Sequence, residues 1–218
     1  MARWFSSDLH FSHANIIRFC HRPFWTIEGG EQVPDVPRMD DELVARINEC
    51  VGPDDELWLL GDIAMGNLSE SLPIVSRLVA GRKVLVAGNH DRVHPYNGKR
   101  AERFTEQYDA VFDEVIPGNT ELVLADGVTV QMSHFPYSLS PTEARARCGE
   151  TSTTDKFAAW RPVDDGRWLL CGHVHDAWRQ SGRTINVGID AWGGWPASED
   201  EVVRLIAEGP TQRAPLPW

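Results

Sequence analysis

The chain has 218 residues, 42% hydrophobic and 24% charged, which suits one domain with a sizeable core and leaves no room for two large ones. Its net charge is −11, from 21 basic and 32 acidic side chains, which argues against a broad electrostatic footprint for long duplex nucleic acid. It leaves room for a small anionic substrate, because bound cations can invert the local field.

No run of about 18 apolar residues is present, so no membrane span is expected. Residues 1–8 lack a charged stretch followed by an apolar one, and a cytoplasmic location is expected. The four cysteines, Cys20, Cys50, Cys148 and Cys171, form no C-x-x-C pair and read as free thiols in a reducing compartment.

In chain order, residues 2–7 read as a strand and 15–20 as a short helix. Residues 23–37, rich in Pro, Gly and acid, read as a long loop. Asp40 or Asp41 can cap a helix to about residue 49, with Leu43, Val44 and Ile47 on one face. A strand over 56–60 follows. A helix then starts at Ser69 or Ser71 and stops at Gly81, and a strand covers 83–87.

The second half has a different texture. Strands are predicted over 109–115, 120–125 and 128–132, the last two joined by the hairpin signal Asp126-Gly127. Strands over 167–171 and 183–187 come next. Residues 198–206 fit either a short helix or a final strand. Residues 209–218, with three prolines, read as a tail after a single domain over 1–208. The expected fold is α/β, with two packed mixed β-sheets flanked by helices.

The chemically informative residues sit where the predicted strands end. Asp8-Leu9-His10 follows the first strand, and in extended backbone residues two apart face the same side. Gly61-Asp62 follows 56–60, and Gly88-Asn89-His90-Asp91 follows 83–87. Ser133-His134 follows 128–132, and Gly172-His173-Val174-His175 follows 167–171. Five of the eight histidines therefore stand at predicted strand ends, where ligand sites of open α/β sheets belong. Nitrogen and oxygen donors without thiolate suit Mn, Fe, Zn, Co or Ni better than a structural cysteine–zinc site. The glycines before Asp62, Asn89 and His173 allow sharp turns and close approach.

These five ordered blocks resemble the calcineurin-like metallophosphoesterase superfamily, across residues 6–197. The stretches 7–17 and 186–192 resemble a small single-domain bacterial and bacteriophage branch of it. The resemblance implies a four-layer α/β/β/α sandwich and a centre of two divalent ions, manganese first, with iron, zinc, nickel, cobalt or magnesium as alternatives. It implies that Asp8, His10, Asp62 and His175 hold one ion. Asp62 would bridge to a second ion completed by Asn89, His134 and His173. It further implies in-line attack on a phosphate ester by a metal-bound hydroxide. His90 is the candidate donor to the leaving oxygen, and Asp91 the candidate to orient His90.

Less specific signals follow. His13 resembles an extra histidine of this branch and either reaches the substrate or starts a helix. Asn15 reads as a cap. Arg92 and Arg38 are candidate phosphate contacts, against the plainer reading of solvated surface residues. His21 and His94 match no block and read as structural. Trp4 and Trp168 read as core. Trp192 and Trp195 either stack on a purine or pack in the core, and Phe24-Trp25 is a candidate lid.

The segment 61–66 lacks the arginine of the protein phosphatase branch, and Asp91 stands where that branch has glutamate. The chain also has no length for a DNA-binding cap. The expected substrate is a small, nucleotide-like phosphodiester, including 2′,3′-cyclic forms. A phosphomonoesterase, a nuclease, or an inactive scaffold are the alternatives.

Overall fold

The computed structural model describes residues 1–137 and 155–218. Cys148 lies outside them, whereas Cys20, Cys50 and Cys171 are free thiols. Two sheets carry the architecture. The first has a parallel core: β1 (Arg3–Ser6), β4 (Glu56–Leu59), β5 (Arg82–Val86) and β6 (Glu114–Ile116). β12 (Ala197–Ser198) is added antiparallel to β1. The second is mixed. β8 (Thr129–Met132), β9 (Leu169–Cys171) and β11 (Thr184–Asn186) run parallel. β7 (Thr120–Val123) and β10 (Gln180–Gly182) flank them antiparallel, and β13 (Thr211–Arg213) lies outermost beside β10.

Alternation along the strands explains why the sheets stack. Phe5, Trp58, Leu60, Val84 and Val86 face Val130, Met132, Leu170, Ile185 and Val187, forming one apolar layer between the two sheets. The opposite residues of the first sheet, Leu57, Leu59 and Leu85, pack under helices α1 (Ala14–Phe19) and α2 (Val36–Cys50). In α2, Met39, Leu43, Val44 and Ile47 form the buried stripe at helical spacing. The expected mixed α/β fold with multiple sheets flanked by helices is the fold observed.

Several local expectations need correction. Residues 23–37 are not a loop: β2 (Trp25–Glu28) and β3 (Glu31–Pro34) form a hairpin. Its turn is Gly29-Gly30, both at positive φ, the two-residue connection that suits strand twist. Helix α2 starts earlier than Asp40, because Asp35 caps the Arg38 N–H and Pro37 sits in the first turn. Pro73 cannot donate a backbone bond, and the helix expected near 69–80 is one turn, α3 (Leu68–Ser71), followed by 3₁₀ backbone over Leu72–Arg77. Residues 105–109 form a helix, α4 (Thr105–Asp109), and the strand there is reduced to β6.

Helix α5 (Glu199–Glu208) settles the open choice near the C-terminus. Ser198 caps it, acidic residues fill its first turn, and Gly209 at φ 89° ends it. The expected tail is instead built into the fold. β13 pairs with β10, the Leu216 N–H bonds to the Ala191 carbonyl, and Trp218 packs edge-on against Phe24.

Candidate metal centre

The C-terminal ends of β1, β4, β5, β8 and β9 lead into loops that converge between the two sheets. The loops are tied to one another by backbone bonds. Asp8 N–H donates to the Gly61 carbonyl (2.9 Å), His10 N–H to Asp62 (3.1 Å), and Gly172 N–H to His134 (3.0 Å). Convergence does not come from strand alternation, as the Asp8-x-His10 spacing suggested. Asp8, His10, Asp62, His173 and His175 all have φ between 47° and 71°. Left-handed backbone is costly for residues with a side chain and concentrates at functional sites. Here it turns consecutive loop residues inward.

Two groups result. Asp8, His10 and His175 form one: the Asp8 Oδ1 lies 4.0 Å from His10 Nε2 and 3.9 Å from His175 Nε2. His134, Asn89 and His173 form the other. His134 Nε2 is 3.1 Å from Asn89 Oδ1 and 3.2 Å from His173 Nδ1. Asp62 stands between them, its Oδ2 3.4 Å from His134 Nε2 and 3.9 Å from His10 Nε2. All seven expected ligand residues are thus brought together.

The residues fit divalent cations. Both ring nitrogens of His10 are buried and have no hydrogen-bond partner among the described residues, a costly arrangement unless something coordinates them. His134 Nδ1 lies 2.8 Å from the Leu60 carbonyl, so Nδ1 keeps its proton and donates it there, and Nε2 is the nitrogen available to coordinate a cation. Burial opposes charge on His134, yet the Asp62 carboxylate pushes its pKa up to about 9. Burial also opposes charge on His175, and Asp8 holds it well above the usual imidazole range. Two protons therefore occupy the field that cations would satisfy, and metal binding would release them. His10 and His173 are pushed well below the imidazole range, chiefly by burial, which leaves both neutral and able to coordinate.

The surrounding contacts fix the ligands. Asp8 Oδ2 accepts from the His173 N–H (3.0 Å) and lies 2.7 Å from the Ser7 hydroxyl. Asp62 Oδ1 accepts the His90 N–H (2.8 Å). The Asn186 side chain binds the His175 and Trp178 carbonyls and the Gly188 N–H, bracing the last loop. Asp40 holds the end of the first loop by accepting the Ser12 N–H (3.0 Å). Arg22, fully buried, bonds both oxygens of Asp190 and the carbonyls of Asp8 and Leu9. Asp190 in turn lies 3.5 Å from His175 Nδ1. Arg22 was not singled out from the sequence; Ser7, Asn186 and Asp190 fell within stretches that carried the resemblance but had no role assigned, and Asp40, read there as a helix cap, binds the Ser12 N–H instead.

A Cβ at Gly172 would fall 1.9 Å from the Ser7 Oγ and 2.5 Å from the Asp8 Oδ2. Gly172→Ala should therefore displace Asp8, destabilise the fold by about 1–3 kcal/mol and lower metal content. Denaturant unfolding and metal analysis check both; unchanged values would show that the loop yields freely.

Other candidates are distributed unevenly. His90 is exposed at the rim, its Nε2 4.0 Å from Asp62 Oδ2 and its ring 5.6 Å from that of His10. His13 is half-buried, with its ring 5.3 Å from His10, and it precedes α1 without a side-chain cap bond. Asp91 does not orient His90. Its carboxylate accepts the N–H groups of Asp62 and Gly88 (both 2.8 Å) and of Ile63, clamping two loops together. Trp192 is not a stacking surface: it is buried, and its indole N–H binds the Asn186 carbonyl. Phe24 is core and the Trp25 indole binds the Arg22 carbonyl, which removes the lid. Asn15 caps nothing and pairs with Arg18. His94 is structural as expected, its Nδ1 accepting the Tyr96 N–H. Arg38 lies exposed on the first turn of α2 and lines neither cavity at the centre, whereas Arg92 does.

Residues 1–177 match the family model for calcineurin-like phosphoesterases. The chain belongs to that family. Among its relatives, the gene 66 protein of Mycobacterium phage L5 is 33% identical over 214 residues, covering 93% of each chain. That of Mycobacterium phage D29 is 34% identical over 217 residues, covering 94% of this chain and 98% of the phage protein. A solved structure of a protein of unknown function from Aquifex aeolicus superposes with a TM-score of 0.61 at 25% identity. The match covers 94% of this chain and 98% of that one. Among the described residues no helix is long and apolar enough to cross a membrane.

Proposed function

We propose that the chain is a dinuclear-metal phosphodiesterase for small, nucleotide-like substrates. Asp8, His10, Asp62 and His175 hold one divalent ion, and Asp62, Asn89, His134 and His173 the other. The observation that carries the reading is the place of Asp62, whose carboxylate faces both donor groups at once. Bound there, two divalent ions supply charge to the phosphoryl oxygens and lower the pKa of water. Manganese suits this nitrogen and oxygen donor set, with iron, zinc, nickel, cobalt and magnesium as alternatives.

The chain's own groups do the rest. The exposed His90 imidazole stands at the rim, placed to give a proton to the departing oxygen, and His13 flanks it beyond His10. Preference for diesters over monoesters is supported by the room around the centre. One cavity of about 400 Å³ and another of about 350 Å³ both touch Asn89 and His90, leaving space for a substituent on each side of a phosphate. The net charge of −11 does not favour long duplexes.

The test is hydrolysis of bis-p-nitrophenyl phosphate, p-nitrophenyl phosphate and 2′,3′- and 3′,5′-cyclic AMP after metal stripping and restoration of Mn²⁺. Diester cleavage should require metal, and Asn89→Ala should reduce it at least about a hundredfold by removing one ligand. Metal at a thousand times its dissociation constant should stabilise the fold by about 4 kcal/mol, read as a rise in melting temperature. Faster cleavage of the monoester would reverse the substrate preference. Absence of both metal binding and turnover would leave a scaffold.

A further inference from the structure

We propose that the larger cavity is a subsite for a second phosphate of the substrate, held by Arg92, Arg100 and Arg103. The proposal rests on the phosphodiester reading and narrows it: the substrate is a phosphodiester that also carries a terminal phosphate.

Three guanidinium groups line this one cavity beside Asn89 and His90, and no acidic side chain lines it. The chain as a whole is strongly acidic, so such a concentration runs against its composition. Most other arginines of the described residues are neutralised. Arg3, Arg82, Arg167 and Arg213, for example, each sit against one or more carboxylates. Among the described residues, Arg92, Arg100 and Arg103 form no ion pair. Arg92 lies over the Phe104 ring at 5.3 Å, which sets its plane against an apolar wall; its Nη2 donates to the Gly66 carbonyl at 3.5 Å, and its other donors carry no carboxylate partner among the described residues.

Unpaired like charges close together repel, and a cavity that keeps them stores that cost until an anion enters. Guanidinium groups pair bidentately with phosphate oxygens, and several converging on one volume of about 400 Å³ select a dianionic group over a carboxylate or a neutral sugar. The scissile phosphate belongs with Asp62 and the histidines. The second phosphate then lies on the far side of Asn89 and His90, which border both spaces. The other cavity, with Tyr96 and Phe157 on its wall, offers aromatic surface for the remaining part of the molecule.

The test uses three thymidine dinucleotides with the same scissile linkage: plain, 5′-phosphorylated and 3′-phosphorylated. With metal-loaded enzyme, one phosphorylated form should show a KM at least about tenfold below that of the plain form, the gain expected of a charge-assisted phosphate contact. In an Arg100→Gln/Arg103→Gln double variant that ratio should fall to near one. Both residues are exposed, and an unchanged melting temperature would show the fold is kept. A ratio near one in the wild type, or a ratio that survives in the variant, overturns the proposal.

A second measurement reads the cavity without turnover. Calorimetric titration with thymidine 3′,5′-bisphosphate should give binding at least about tenfold tighter than with either monophosphate, and the double variant should erase the difference. If no dinucleotide is cleaved while this difference is present and lost in the variant, the diester reading fails and the phosphate subsite stands. If the bisphosphate binds no tighter, the subsite is wrong whatever the enzyme cleaves.

Discussion

Arg22→Ala should destabilise the protein by about 3–5 kcal/mol and lower its melting temperature by on the order of 10 °C, among the largest effects expected of a single change outside the ligand set. The guanidinium is fully buried. Its Nε and Nη2 bind the two oxygens of Asp190 at 2.8 and 2.9 Å, and its remaining donors reach the Leu9 and Asp8 carbonyls at 2.9 and 2.8 Å. Alanine would leave a buried carboxylate without its counter-charge and two buried carbonyls without donors, and each is costly. Replacing both partners removes the orphan along with the pair. The Arg22→Ala/Asp190→Ala double variant should therefore be less unstable than the sum of the single changes, a coupling that a double-mutant cycle measures.

The deficit of Arg22→Ala should depend on pH with a definite sign. Burial alone would raise the Asp190 pKa, but Arg22 and His175 bring it down to about 2. A depressed carboxyl contributes stability that is present above its unfolded value of 3.8 and is lost as pH falls toward 2. Without Arg22 the larger part of that contribution disappears, and the gap between variant and wild type should be widest near neutrality and narrow below pH 4. A gap constant across pH 3–7 would mean that Arg22 acts through packing alone, under Trp218 and beside Met39.

The same pair shows why part of the centre was legible in the sequence and part was not. Asp8, His10, Asp62, Asn89, His134, His173 and His175 stood out because polar donors at the ends of apolar runs have few other reasons to be there. Arg22 and Asp190 interact across 168 positions; no local pattern marks Arg22, and Asp190 lies in a stretch that carried the resemblance without revealing this pairing. Asp91 was legible as important but not in its role. Proximity to His90 suggested an orienting partner, whereas burial drives its carboxylate toward the nearest unsatisfied donors, the backbone N–H groups of Asp62, Ile63 and Gly88.

Chain geometry misled in a comparable way. Two-residue spacing was read as strand alternation, but the donors converge through left-handed loop backbone that periodicity cannot report. The hairpin over residues 25–34 was hidden because proline and acid outweighed its Gly29-Gly30 signal. The last ten residues were obscured similarly: prolines favour strand edges and breaks, and β13 is an outermost strand. Helix α5 was open in the sequence because a short apolar stretch fits both periods. Its Ser198 cap and acidic first turn decide the matter.

Asp62→Asn should cost at least about a thousandfold in metal-dependent turnover, on the order of 4 kcal/mol or more of lost transition-state stabilisation. The shape is nearly conserved, and an asparagine oxygen can still accept the His90 N–H now held by Oδ1 at 2.8 Å. What changes is Oδ2, which loses its charge where it faces His134 at 3.4 Å, His10 at 3.9 Å and His90 at 4.0 Å. Every one of these neighbours is an imidazole. The other carboxylate within reach of Asp62 and His134 is Asp8, whose Oδ1 faces His10 and His175 and whose Oδ2 already accepts from the His173 N–H.

Metal content should accordingly fall from two ions per chain to one or none. The rise in melting temperature on adding Mn²⁺ should shrink with it, while the metal-free melting temperature stays within a few degrees of wild type. The last point separates the bridging role from a structural one. In the metal-free protein the Asp62 charge is balanced by a proton on His134, and removing the carboxylate lets that proton leave rather than stranding a buried charge. A variant that unfolds early without metal would place Asp62 among the residues that hold the loops. One that keeps two ions and a tenth of wild-type turnover would dismiss it as the bridge.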